Sequence, residues 1–96
     1  MPTYITFAKW TDQGVRNVKE TVQRMAAYRA TLERRGGRVL SAYWTQGPYD
    51  MVTITEAPDA QTAVAAELAA ASLGNIRTET FPAFSDGDMT SIVGKL

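Results

Sequence analysis

The residues best suited to chemistry are a phenol and a carboxylate set side by side at a turn, Tyr49 and Asp50 of Gly47-Pro48-Tyr49-Asp50. At the mouth of a cleft the two would form an acid/base pair in outline. A tight hairpin connection demands the same composition: glycine for its φ freedom, proline for its fixed φ, aspartate to accept from turn amides. The turn reading is the stronger, with Asp50 hydrogen-bonding amides and Tyr49 packing. Trp10, Tyr43 and Trp44 would box a flat ligand, although aromatics on strands serve more often as core or interface. Arg77, two residues before Glu79, offers a planar fork for a ligand carboxylate. An exposed ion pair is its more ordinary use. Asp86 and Asp88 lack the other ligands of a calcium loop and read as helix-capping acids, so no metal site is expected.

Composition removes whole classes of function. The chain has no cysteine and no histidine, so thiolate chemistry, zinc and iron–sulfur sites and histidine-ligated haem are excluded. Ten basic and ten acidic side chains balance to zero, without the basic excess that phosphate contacts require, and nucleic acid is not an expected partner. No glycine-rich phosphate loop is present, and no cofactor is expected. There is no run of 18 apolar residues and no charged n-region followed by an apolar stretch. A cytoplasmic, bacterial-type protein away from the membrane is therefore the expectation.

The elements that must position these residues read as one domain over 1–96. Residues 4–10, 38–45, 50–56 and 76–81 carry strand signals, with Pro82 ending the last. Val18, Val22, Met25, Arg29 and Leu32 step by four and three, predicting a helix that ends at Gly36-Gly37. Glu20/Arg24 and Arg29/Glu33 are opposite charges at helical spacing. Pro58-Asp59 opens an alanine-rich helix whose small side chains let it lie close on a sheet, and Ser85 caps a short C-terminal helix. The order β-α-β-β-α-β predicts an α+β, ferredoxin-like plait: a four-stranded antiparallel sheet with both helices on one face. With Ile5, Phe7, Val52 and Ile54 set toward the helices, Tyr4, Thr6, Ala8, Trp10, Met51, Thr53 and Thr55 would face away. The strand over 38–45 carries bulk on both sides and leaves its facing open. An uncovered face rich in aromatics is expected to stack on a second copy of the chain.

The stretches MPTYITFAKWTDQGVRNVKET, YWTQGPYDMVTITEAPD and SLGNIRTETFPAF resemble the GYD-domain family of small bacterial proteins, over roughly residues 1–92. The family's Gly-Tyr-Asp element corresponds to Gly47, Tyr49 and Asp50, written here as GPYD. The resemblance implies a fold of the dimeric α/β-barrel type and brings no catalytic residue set. A homo-oligomeric binding or assembly module is expected, with a small-ligand cleft at the uncovered sheet face drawn from Trp10, Tyr43, Trp44, Tyr49, Asp50 and Arg77. The alternative is a cofactorless enzyme, monooxygenase- or isomerase-like, using tyrosine, aspartate and arginine there. Whether the protein is catalytic stays open.

Overall fold

A computed structural model describes residues 1–96. The chain runs β1 (Thr3–Trp10), α1 (Asp12–Arg16), a 3₁₀ turn (Val18–Glu20), α2 (Thr21–Arg34), β2 (Arg38–Trp44), β3 (Met51–Glu56), α3 (Ala60–Ala71), β4 (Ile76–Ala83) and α4 (Asp86–Val93). The strands form one antiparallel sheet in the order β2-β3-β1-β4. Helices α2 and α3 pack on one face of it, the expected α+β ferredoxin-like arrangement.

The caps follow local chemistry. Asp59 accepts from the Thr62 amide at 2.8 Å to start α3. Ser85 and Asp88 exchange bonds with each other's backbone in a capping box that starts α4. Gly36 closes α2 at φ +88°, and the amide of Gly37 reaches back to the Leu32 carbonyl at 2.9 Å. Pro82 does not end β4, which continues to Ala83. As an edge strand, β4 tolerates a residue without an N–H on its open side.

Two expected facings are reversed. Tyr4, Thr6 and Ala8 of β1 and Met51, Thr53 and Thr55 of β3 are the buried residues, lying under the helices. Ile5, Phe7, Val52 and Ile54 therefore line the uncovered face. The reason lies in α3, which turns Ala63, Ala66 and Glu67 inward and leaves Val64 and Leu68 exposed. Small and hydroxylated strand residues fit beneath so close a helix, whereas rows of isoleucine and phenylalanine would hold it off. On α2 the inward stripe is Thr21, Met25, Tyr28 and Leu32, while Val22 stands 66% exposed and Arg29 also points to solvent. Glu20 and Arg24 pair at 3.5 Å, but Arg29 and Glu33 form no ion pair. The facing of β2 is settled by a bulge between Val39 and Ser41. Beyond it Tyr43, opposite Val52, lies on the uncovered face, and Trp44, opposite Met51, lies on the helix side.

Candidate functional site

The β2–β3 connection is held by main-chain and Asp50 contacts. The amide of Thr45 donates to the Asp50 carbonyl at 2.8 Å, and the Asp50 amide donates to the Ala8 carbonyl at 2.8 Å. One carboxylate oxygen of Asp50 accepts from the Trp10 amide at 2.9 Å. Thr45 Oγ1 donates to the Tyr49 carbonyl at 2.6 Å, and Gly47 takes φ +137°. The Asp50 carboxylate thus ties the hairpin to the end of β1 rather than to amides of its own turn. The Tyr49 ring lies 4.8 Å from Phe7, with the Lys9 ammonium 5.4 Å from its centroid. Glu79 beside the phenol raises its pKa, which makes Tyr49 a weaker acid than a free tyrosine.

Around Tyr49 lies the uncovered face. Phe7 meets Phe81 edge-on at 6.1 Å, and Ile5, Val52 and Ile54 continue the apolar centre. Tyr43 and Phe81 stand 62% and 50% exposed. Charges ring this centre: Lys9 opposite Arg77, then Glu79 opposite Phe7, and an Arg38–Glu56 pair at 3.3 Å. An apolar middle with a charged rim is the anatomy of a protein–protein interface.

The six ligand candidates divide between the two sides of the sheet. Tyr43, Tyr49 and Arg77 belong to the uncovered face. Trp44 turns the other way and donates from Nε1 to Thr21 Oγ1 at 3.0 Å. Trp10, opposite Ile76, shares the parity of Tyr4, Thr6 and Ala8, and its indole N–H is buried without a hydrogen-bond partner. The two tryptophans and Tyr43 do not make one box, and Asp50 is engaged with backbone.

On the helix side lies a polar cluster missed by sequence reasoning. Glu67, the one charged residue of α3, is 8% exposed. Its Oε1 accepts from the Tyr28 hydroxyl at 2.6 Å and from Thr6 Oγ1 at 3.3 Å. Thr6 Oγ1 also lies 2.8 Å from Thr80 Oγ1. With its single proton given to Glu67, Thr6 must accept there, and the chain of donors runs Thr80 to Thr6 to Glu67. Burial raises the Glu67 carboxyl pKa, against the pull of both donors. Burial and the adjacent carboxylate also push the Tyr28 phenol strongly up. The readable signal was spacing: Glu67 follows Ala63 by four residues, on the small-residue stripe that faces the sheet. Above this cluster, α2 and α3 part to leave a mostly apolar cleft of about 160 Å³.

A family model for the GYD domain matches residues 4–93, and the chain belongs to that family. A protein of Thermus thermophilus named "Glutamine synthetase and cystathionine beta-lyase binding protein" is 38% identical over 90 residues, covering 93% of this chain and 95% of its own. A crystal structure of a protein from Thermus thermophilus superimposes with a TM-score of 0.55 at 23% identity, over 88% of this chain and 95% of that one. That likeness bears on the fold. No helix is long and apolar enough to cross a membrane.

Proposed function

We propose that this GYD-domain protein is a binding module that pairs with a second copy of itself through the uncovered sheet face and presents the assembly to a protein partner. The observation that carries the reading is the Ile5, Phe7, Val52, Ile54 and Phe81 patch, bounded by Lys9, Arg77 and Glu79. A standard interface takes about 800 Å² from each partner, roughly an eighth of the 6310 Å² this chain exposes. A two-fold axis through the patch lets identical residues cover one another. Tyr43, Tyr49 and Arg77 then contact the second copy or a small molecule held between the two. The relative's name supports a protein partner, and purified glutamine synthetase is the first to try.

Light scattering at micromolar concentration tests the pairing. The aspartate probe belongs at Phe7 and not at Trp10, which has the parity of the helix side. Phe7→Asp buries a carboxylate at several kcal/mol in the assembly, raising the dissociation constant a hundredfold or more at about 1.4 kcal/mol per decade. A wild-type monomer, or a folded Phe7→Asp variant of unchanged mass, refutes the reading. Phe81→Asp is the second probe, at a site already half exposed. A dimer that leaves purified glutamine synthetase unbound removes that partner and keeps the pairing.

A further inference from the structure

We propose that α4 is an exchanged arm, which leaves its own protomer and seats its apolar side and first-turn acids on the second copy. This rests on the pairing through the uncovered sheet face and adds which end of one copy meets which end of the other. Every residue from Phe84 to Leu96 is exposed, and no strand or helix packs closely on α4. Its start is nonetheless fully specified by the Ser85–Asp88 capping box. Met89, Ile92 and Val93 recur at helical spacing and form one apolar side, and Phe84, just before the cap, is also exposed. A helix of eight residues is marginal in water by itself and draws its stability from the packing of such a side. The chain's radius of gyration is 14.3 Å, against about 12.5 Å for a compact chain of this length, as expected of a body with a projecting helix.

Continuity and charge identify the cover as a second copy. Only Pro82 and Ala83 separate Phe81, on the pairing face, from Phe84, so the arm starts at the edge of that face. At the other end of β4, Arg77 lies directly opposite Lys9 on the same face. Like charges facing each other across strands repel. Neither has an ion-pair partner in the chain, and neither do Asp86 and Asp88. The arm of the same copy does not supply one, because the strand from Arg77 to Ala83 spans about 20 Å. Two sheets stacked in the aligned manner take a two-fold axis either along the strands or across them. Charge selects the axis across, near Phe7 and Glu79. It lays β4 of one copy antiparallel over β4 of the other, and so brings Asp86 and Asp88 of each arm to Lys9 and Arg77 of the opposite copy. Beyond those contacts the apolar side of α4 closes over the second copy, and the axis repeats the exchange in reverse.

Analytical ultracentrifugation of the full-length protein reads the mass and dissociation constant of the pair. Met89 is exposed in the single chain and lies near the helix start, where an aspartate is tolerated. Met89→Asp should therefore weaken the dimer about tenfold or more and leave the monomer's melting temperature unchanged. Arg77→Glu should weaken the dimer about tenfold at low salt, and Arg77→Glu/Asp86→Arg should return it to within about threefold of the wild type. The chain has no cysteine, so Arg77→Cys and Asp86→Cys proteins treated with a short bismaleimide report the register. The two mixed should crosslink into dimers, and Arg77→Cys alone should not. A wild-type monomer removes the pairing and the arm together. In a wild-type dimer, an unchanged dissociation constant for Met89→Asp, no rescue by the charge reversal, or no crosslink in the mixture overturns the arm and keeps the pairing. So does a concentration-independent loss of stability in Met89→Asp, which places α4 on its own chain.

Discussion

The Tyr28–Glu67 pair gives a prediction whose size follows from its geometry. The hydroxyl donates to a carboxyl oxygen at 2.6 Å, and only Thr6, at 3.3 Å, shares that acceptor. Tyr28→Phe leaves Glu67 buried with its weaker donor alone, and the loss of a hydrogen bond to a charged group costs about 2 kcal/mol. Glu67→Leu leaves the buried Tyr28 hydroxyl without its charged acceptor and with only the Thr55 hydroxyl beside it. That loss is partly offset by removal of a desolvated carboxylate, for a net cost of about 2 kcal/mol. In Tyr28→Phe/Glu67→Leu neither orphan remains, and the freed Thr6 hydroxyl turns to Thr80 at 2.8 Å. The double variant should therefore cost only about 1–2 kcal/mol, and the cycle should show a coupling of about 2–3 kcal/mol. Urea unfolding of all four proteins at pH 7 measures this, at one fixed protein concentration so that self-association contributes equally. Additivity within about 0.5 kcal/mol would refute the claim that these groups satisfy one another.

Two further outcomes follow. Asp50→Asn keeps an oxygen for the Trp10 amide and should cost about 1 kcal/mol or less, whereas Asp50→Ala orphans that amide and should cost about 1–2 kcal/mol. Thermal melts giving the two equal losses would show that charge rather than shape matters there. The raised pKa of Glu67 means that the folded state holds its proton more tightly than the unfolded chain. The associated stability is complete below the ordinary carboxyl value of 4.5 and is lost as pH rises through the folded value. Glu67→Gln should therefore gain on the wild type from pH 4.5 upward, and parallel stability curves for the two would contradict the assignment.

Features governed by a few neighbouring residues were legible in the sequence. Asp59, Ser85 with Asp88, and Gly36 cap their helices as their types require, because a cap depends on one side chain and the next turn of backbone. The succession of strands and helices followed because each strand is short, separately punctuated and joined by a hairpin or a single helix. Pro82 misled because its effect depends on whether its strand lies at an edge, a property of the whole sheet. Val22 misled because Val22 and Tyr28 both fit a helical stripe, and the sheet selected the one through Tyr28. Of the six ligand candidates, Tyr43, Tyr49 and Arg77 reached the uncovered face. The bulge before Ser41 fixed the opposite facings of Tyr43 and Trp44, and no local composition marks it.

The reversed parity bears on the proposed assembly. Reading β1 and β3 by hydropathy selects Ile5, Phe7, Val52 and Ile54 as core and rejects Thr6, Thr53 and Thr55. In the isolated chain the threonines are buried and the stronger apolar set is the uncovered one. These four are already partly buried in the isolated chain, so a cover over that face gains only the remaining part of the about 1.5–3 kcal/mol that fully burying each such side chain is worth. The threonines under α3 gain little from transfer; they serve by being small and by donating, as Thr6 does to Glu67. A chain that places Ile5, Phe7, Val52 and Ile54 on the outer face, and its threonines with Tyr4, Ala8 and Met51 on the inner, is arranged for two layers of burial. The helices close over the first, and in the proposed pairing a second copy closes over the other. On this account the hydropathy pattern correctly identified a buried face and assigned it to the wrong cover. Phe7→Asp should then separate the copies while leaving the helix-side core, and with it the Tyr28–Glu67 coupling, intact. A Phe7→Asp variant that unfolds, together with Phe81→Asp, would place that face in the monomer's own stability and remove the second copy from the argument.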